Sequence, residues 1–451
     1  MSRDRDTTNR LREAALDIFQ AGVRAADPRR AVQNSLEIAT SGRPVIAGEE
    51  VSRARSLRIV ALGKASVLMA EAALEMLPAE LFRGPGVVAV NPENYRDLEH
   101  FEVYASGHPV PDAAGVSAAR AVERYLTDCS EDEALLVLVS GGGSALLPAP
   151  APGISLEDKI ETTRLLLASG EPIQQVNTVR KHLSTLKAGG MARQAYPSRL
   201  EAVILSDVIG DDLSSIASGP TAPDPTTFAD AEEVLAGCDP SAAIPASVRE
   251  RIDRGVRGEI ADTPTADDPT FSRVVNRVVG SNSQSLAAAQ SRAAALGFEV
   301  MVLPAPLLGE ARDAAAIVDA ANRENWTGDR PLAVLAGGET TVSLKGRGSG
   351  GRNQEMALAF ALLPESRTRR EEWVFLSGAT DGRDGPTDAA GGMVDAGTLD
   401  RIRPSGLDPA AELDENNSYV VLRAAGDLLM TGSTGTNVAD LQVLLLSRGR
   451  K

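Results

Sequence analysis

The chain is poor in the residues that staple, stack or chelate. Its 451 residues contain two cysteines, Cys129 and Cys238, far apart and outside any C-x-x-C pair, which excludes a disulfide framework and a cysteine-based metal site. The three histidines, His100, His108 and His182, show no metal-ligand spacing such as H-E-x-x-H, so each reads as structural. Aromatics make up 3% of the chain and no basic stripe accompanies them. Stacking platforms and a phosphate-tracking surface are both missing, so nucleic acid is not a partner. No apolar run approaches the roughly 18 residues of a membrane span, and the charged start MSRDRDTTNRLREAALDIF has no apolar signal region. The expectation is a soluble, cytoplasmic protein with no membrane partner.

Lysine is the other scarcity: it stands only at 64, 159, 181, 187, 345 and 451. Arginine supplies the remaining cations, and Asp+Glu 62 against Lys+Arg 46 leaves a net charge of −16. An acidic, lysine-poor surface is that of a halophilic protein, where salt screens the self-repulsion that dilute buffer would leave.

What is present is ordinary apolar content, 43%, over a length that one core seldom organises, so two domains are expected. Short β-branched runs alternate with helically spaced segments. LRIVALG (57–63) leads into KASVLMAEAALEML; GVVAV, FEVYAS and ALLVLVS follow, then helices at 155–169 and around 177–194, and the strand AVILSDV. This alternation predicts a doubly wound α/β/α domain with a largely parallel sheet. A polar stretch at 238–272 with weak periodicity places the boundary. The expected domains are 8–255 and a smaller α/β domain at 270–447 that starts with VVNRVVG and continues through FEVMVL, PLAVLAG, TTVSLK, NQEMALAFALL and EWVFLSG.

Ligands of open α/β sheets lie at the carboxyl ends of the strands. The polar, glycine-rich loops of this chain nearly all follow strands: GKAS, SGGGS, SDVIGDD, GGET and SGATDGRDGPTDAAGG. Successive backbone N–H groups from Gly141, Gly142, Gly143 and Ser144 can form an anion nest. Lys64 ends a buried-type strand, which suits a residue facing an anion. The acids Asp207, Asp211 and Asp212, and Asp381, Asp384 and Asp388, are of the hard-oxygen type that holds Mg²⁺, although aspartate is also a default turn former. Arg352 ends the glycine-dense stretch GGETTVSLKGRGSGGRNQE, where a loop meets a helix start and backbone donors, helix dipole and guanidinium would converge on one anion. Gly346, Gly348 and Gly351 also match G-x-G-x-x-G, which raises a dinucleotide reading. Against it, no acid ends the next strand at VFLSG, and no G-x-x-x-x-G-K-[ST] loop occurs.

At these residues the chain resembles the glycerate 2-kinase family, whose second half is called the MOFRL domain and whose members were often labelled hydroxypyruvate reductases. The resemblance runs from about 60 to 440, through ALGKAS, GHPVPDAAG, VSGGGSALLPAPAPGISLEDK, NTVRKHLSTLKAGGMA, LSDVIGDDLSSIASGPTAPDPTT, GEARDAA, GGETTV, GSGGRNQEMAL, SGATDGRDGPTDAAGG, NNSYVVL and TGSTGTNVADL. It implies ATP-dependent phosphorylation of D-glycerate at the 2-hydroxyl, with Mg²⁺, in a cleft between the two domains. The family's active-site lysine and arginine fall on Lys64 and Arg352. Asp207 joins them as candidate catalytic group, and Asp207 or Asp381 would hold the metal. Gly141, Gly142, Gly143, Ser144, Asn177, Arg180, Glu339, Asn353 and Asp381 are the candidate substrate and nucleotide contacts. Ser433 and Ser66 depart from the family's usual proline and alanine at those positions. The rival readings are an NAD(P)H-dependent hydroxypyruvate reductase and a non-catalytic binder of an acidic metabolite. Product regiochemistry and the choice between monomer and homodimer stay open.

Overall fold

The computed structural model describes residues 2–51, 54–238, 243–321, 330–364, 366 and 372–447. Residues 239–242 of the expected boundary stretch lie outside them. The chain divides into two compact units, Pro28–Val279 and a second formed by Met1–Asp27 with Gly280–Lys451.

The first unit is built on a six-stranded sheet of β1 (Ser56–Leu62), β2 (Gly86–Val90), β3 (Phe101–Ala105), β4 (Glu133–Val139), β5 (Arg199–Leu205) and β6 (Val274–Gly280), in the order β3-β2-β1-β4-β5-β6. Every pair from β3 to β5 is parallel. β4 is buried along its whole length, as a parallel strand covered on both faces must be. One face packs on the helices Ala113–Leu126 and Gly190–Ala195, the other on Ser66–Met76. A satellite cluster joins the helices Leu156–Ala168, Ile173–His182, Phe228–Cys238 and Ala246–Val256.

The second unit carries β7 (Glu299–Val302), β8 (Leu332–Gly338), β9 (Glu372–Ala379), β10 (Gly391–Asp395), β11 (Leu428–Leu429) and β12 (Asp440–Ser447), in the order β7-β8-β12-β9-β10-β11. Only β7–β8 is a parallel neighbour pair; the last strand, β12, runs antiparallel between β8 and β9. The helices Ala311–Ala321, Arg352–Leu362 and Ser418–Ala425 cover one face; Ser2–Ala25 and Asn282–Ala295 cover the other. No helix among the described residues is long and apolar enough to cross a membrane.

Four expectations change. The division does not fall within 238–272, because VVNRVVG is β6 and belongs to the first sheet: Val274 and Val278 join the core on one face and Val279 that on the other, and Asn276 exchanges hydrogen bonds with Thr221. The N-terminal helix, expected to open the first domain, belongs to the second unit. Its buried stripe Leu11, Ala15, Ile18 and Phe19 packs with Leu441, Val443 and Leu445 of β12, and a Cβ at Gly22 would sit 2.5 Å from Leu441 Cδ1. Helical spacing predicts such a stripe but not which sheet receives it. TTVSLK is a loop rather than a strand: Leu344 is 82% exposed, the Ser343 N–H and hydroxyl both bond the Glu310 carboxylate, and the N–H groups of Lys345 and Gly346 donate to Asn416 Oδ1. Side chains supply the partners that a neighbouring strand would have given. The helix expected around 177–194 is also broken, at a turn where Ala188 and Gly189 take φ 52° and 72°.

Candidate active site

In the first unit the chain winds outward from β1 through β2 to β3, then returns to place β4 and β5 on the other side of β1. The carboxyl ends of β1 and β4 therefore flank a topological switch point, where open α/β sheets bind their ligands. Gly63 follows β1 with φ +117°, and any Cβ there would lie 2.2 Å from Ser140 Oγ. This close approach locks the two loops together: Lys64 N–H donates to Gly141 O at 2.9 Å, and Ala65 N–H to Ser140 Oγ at 3.0 Å. Ser66, the departure from the family pattern, is buried with its hydroxyl on Ala89 O, so the change is internally satisfied.

Lys64 is half-buried, and its ammonium makes no hydrogen bond or ion pair with any described residue. A Cβ on Gly142, which has φ +85°, would come within 3.0 Å of His108 Nε2 and 3.3 Å of Lys64 Cγ. His108 thus belongs to the site, although its spacing gave no sign of it. Burial, and then the neighbouring Lys64 charge, push its pKa down, so the imidazole is neutral near pH 7. His182 remains structural, buried with Nδ1 on Thr178 O. Asp207, after β5, lies against the same loop; a Cβ on Gly141 would be 2.3 Å from its Oδ2. Asp212 caps Ser214 and Ser215 instead, a turn former as aspartate so often is.

On the other flank Ser144 Oγ accepts from Arg180 Nη2 at 2.7 Å and from Lys187 Nζ at 3.1 Å, and Lys187 also reaches Ser144 O at 2.7 Å. Asn177 Oδ1 accepts from Arg180 Nη1 at 3.2 Å, so it orients that guanidinium. Ser144 Oγ also meets Ser218 Oγ at 2.9 Å. Ala217 and Ser218 both hold left-handed φ, 51° and 61°, a conformation that costs about 1–2 kcal/mol per non-glycine residue. The bonds Ala188 N–H to Ser218 O and Gly189 N–H to Gly219 O pin that turn. Strain held by surrounding bonds is typical of a functional site.

The second unit gathers its polar residues at the carboxyl ends of β8 and β9, where β12 begins. Asp440 stands opposite Gly338 and Ala379 and is fully buried. Arg352, first residue of its helix, donates Nε to Asp440 Oδ2 at 2.6 Å and Nη2 to Oδ1 at 3.0 Å, while Nη1 reaches Glu339 Oε1 at 2.9 Å. Its side chain keeps 30% exposure, and two of its five N–H donors stay outside these bonds. Burial pushes the Asp440 carboxyl up to about 6 against the opposing pull of Arg352. Burial works against the Arg352 charge too, but Asp440, then Glu339 and Asp384, hold it protonated.

Several expectations for this loop are revised. The helix start offers its donors to a protein carboxylate: Asp384 accepts from Asn353 N–H at 3.1 Å and Gln354 N–H at 2.8 Å. The expected convergence of helix dipole and guanidinium on one ligand is therefore divided between two acids of the chain itself. Asn353 is fully buried, accepting from Ser377 and donating to Asp384, so in this structure its polar groups are engaged with the chain itself. Glu339 steers Arg352. Asp381 accepts from Arg383 N–H two residues on, and Asp388 from the Tyr419 hydroxyl. Among the described residues no three acids, histidines or cysteines converge into a metal-holding group. The glycines of G-x-G-x-x-G face protein: a Cβ at Gly346 would lie 2.4 Å from Glu415 O, one at Gly348 2.5 Å from Asn417 Cβ, and one at Gly351 2.3 Å from Asp384 Cγ.

Known proteins resemble this chain along nearly its whole length. Residues 14–253 match the family described as a domain of unknown function, DUF4147, and residues 332–440 match the MOFRL family. The chain is 40% identical to the glycerate 2-kinase of Pyrococcus horikoshii, across 98% of this chain and 99% of that one. It is 38% identical to the D-glycerate 2-kinase of Thermotoga maritima, across 97% and 98%. The crystal structure of a glycerate kinase from Thermotoga maritima superposes with a TM-score of 0.84 at 36% identity, covering 97% of this chain and all of that one. The chain belongs to the glycerate 2-kinase family.

Proposed function

We propose that this enzyme transfers the γ-phosphoryl group of ATP, with Mg²⁺, to the 2-hydroxyl of D-glycerate, giving 2-phosphoglycerate and ADP. The observation that carries the reading is the pair of aimed cations. Lys64 stands at the switch point of a parallel sheet with no partner among the described residues, and Arg352 is gripped along one edge by Asp440 with two donors left over. Phosphoryl transfer asks little covalent chemistry of a protein; it asks for position and positive charge around the phosphoryl oxygens. Lys64 and Arg352 each supply such charge.

Asp207, against Gly141, accepts the proton of the substrate hydroxyl or holds Mg²⁺. His108, kept neutral beside Lys64, is the other proton acceptor near that ammonium. Mg²⁺ is usually held by one or two carboxylates together with nucleotide phosphates, which Asp207 fits, while Asp381 has one oxygen on its own turn. The ion would neutralise phosphate charge. The G-x-G-x-x-G glycines lie against Glu415, Asn417 and Asp384, which disfavours a nicotinamide site on that loop.

The test is ADP release with D-glycerate and ATP, and phosphorus NMR of the product, run beside nicotinamide absorbance with hydroxypyruvate. Glycerate-dependent ADP release with 2-phosphoglycerate as product supports the proposal. NADH oxidation without it would refute the kinase reading, and 3-phosphoglycerate would refute the regiochemistry alone.

A further inference from the structure

Three elements of the first unit bring cations to the hydroxyl supplied by a fourth. Lys159 comes from the helix Leu156–Ala168, Arg180 from Ile173–His182, Lys187 from the turn after it, and Ser144 from the one-turn helix Gly143–Leu146 after β4. Lys159 and Lys187 are 4% and 3% exposed. Lys159 donates to Leu183 O at 2.9 Å, and Lys187 to Ser144 O and Oγ. Arg180 meets Ser144 Oγ and Asn177 Oδ1. All these partners are neutral.

Among the described residues no carboxylate pairs with any of the three. Burial, then the other cations nearby, press both lysines far below their ordinary pKa, and burial does the same to Arg180. A buried acid of the same unit, Asp224, is already committed: it pairs with Lys181 at 3.2 Å and accepts from Thr226. Proteins rarely bury charge without a counter-charge, because desolvation and like-charge repulsion add. The composition makes the arrangement more pointed, since a chain with lysine at only six positions places two of them here, inside. The cluster is not sealed. Ser144, Asn177 and Arg180 are half-buried, and Ser144 adjoins the Gly142 that touches Lys64 and His108.

We propose that Ser144, Arg180 and Lys187, backed by Lys159, form a binding site for a substrate oxyanion, with Lys187 as its innermost charge. The inference rests on the kinase reading for the identity of the oxyanion: the carboxylate of glycerate or a phosphate of the nucleotide. The anion supplies the counter-charge that the fold omits and accepts from the Arg180 fork and the Lys187 ammonium together.

The test measures binding rather than turnover. D-glycerate alone, MgATP alone and inorganic phosphate alone are titrated by calorimetry into wild type and Lys187→Met at matched ionic strength. A charge-assisted contact to a buried anion is expected to weaken one affinity by about ten- to a hundredfold on removal. Loss confined to D-glycerate identifies a carboxylate site; loss of MgATP and phosphate with glycerate intact identifies a phosphate site. Unchanged affinity for all three, or no saturable binding of any of them by wild type, overturns the proposal. Should Lys187→Met fail to fold, Arg180→Gln, at a half-exposed position, is read by the same criteria. Absence of glycerate turnover with phosphate binding lost in the variant would sink the kinase reading and leave this site standing. Normal turnover with every affinity unchanged would sink this site alone.

Discussion

Asp440→Asn isolates how Arg352 is aimed. The substitution keeps the shape of the side chain and removes its charge. Arg352 loses two charge-assisted bonds, Nε to Oδ2 at 2.6 Å and Nη2 to Oδ1 at 3.0 Å. An amide in the same place can accept only at its oxygen, and its NH₂ group faces a guanidinium donor. Hydrogen bonds to charged groups contribute about 1.5–3 kcal/mol. Arg352 is 30% exposed and keeps Glu339, so solvent screening argues for the lower half of that range. If the aim of the guanidinium matters chiefly in the transition state, turnover should fall about ten- to a hundredfold with a smaller change in the ATP Michaelis constant. The wild-type pH profile supplies a second reading. The Asp440 carboxyl is raised to about 6, so it takes up a proton as pH falls through that value and Arg352 loses its charged partner; turnover should decline on the acid side with a midpoint near 6, and Asp440→Asn should lack this limb. Stability carries the opposite sign. The folded state binds this proton more tightly than the unfolded chain, so the contribution of Asp440 to stability is fully present below about 4 and lost as pH rises through about 6. The assay is steady-state ADP release from pH 5 to 8 with circular dichroism as the fold control. Wild-type turnover with an unchanged acid limb in a folded Asp440→Asn enzyme would refute the reasoning.

Lys64→Ala and Arg352→Ala should each fold and lose about a hundred- to a thousandfold in turnover, as for removal of one preorganised transition-state charge, with Arg352→Lys recovering only part; an effect confined to the ATP Michaelis constant would make Arg352 a nucleotide clamp instead. Because the net charge is −16, folding and activity should require high salt, and an unchanged melting temperature in very dilute buffer would count against salt adaptation. Gly348→Val should lower the melting temperature, since its Cβ would lie 2.5 Å from both Asn417 Cβ and Glu415 O, and NADH fluorescence titration of wild type should show no saturable binding.

Much of this fold could be read from local pattern. The parallel strands of the first unit announce themselves as short continuous apolar runs, and each lies within a residue or two of its expected place except β5, which starts and ends three residues earlier than AVILSDV. What pattern could not give is which sheet a half-buried element joins. The valines of β6 and the stripe of the first helix are compatible with either unit, and only long-range packing against Thr221 or Leu441 decides. The same limit applies to the site. Lys64 and Arg352 stand beside glycine loops and could be found, whereas Lys159 and Lys187 sit in helix and turn sequences whose charges look solvated. Asp440 had one signal, an acid opening the apolar run DLQVLLLS. A lone carboxylate at the head of a buried strand needs a partner, and that partner is Arg352.

The glycine-dense stretch before Arg352 shows how one composition admits two causes. Dense glycine permits backbone to approach a ligand, and it equally permits backbone to approach backbone. None of Gly346, Gly348, Gly350 and Gly351 has a left-handed φ, and each would clash with the 415–418 segment or Asp384 if it bore a side chain. Their freedom therefore serves contact, not a turn. Asn416 and Asn417 finish the seam, with side-chain oxygens on the N–H groups of Lys345, Gly346 and Ser349. Pressed against that segment, the loop delivers Arg352 at the first position of its helix, while Asp384 occupies the helix donors that would otherwise compete for an anion. The anion-directed chemistry left at this end of the second unit is then the outer edge of one guanidinium, turned by Asp440 and Glu339. That places the aim of the guanidinium in one carboxylate at the start of the same stretch, Glu339, and one far away in sequence, Asp440, and it explains why a glycine motif alone does not identify a ligand.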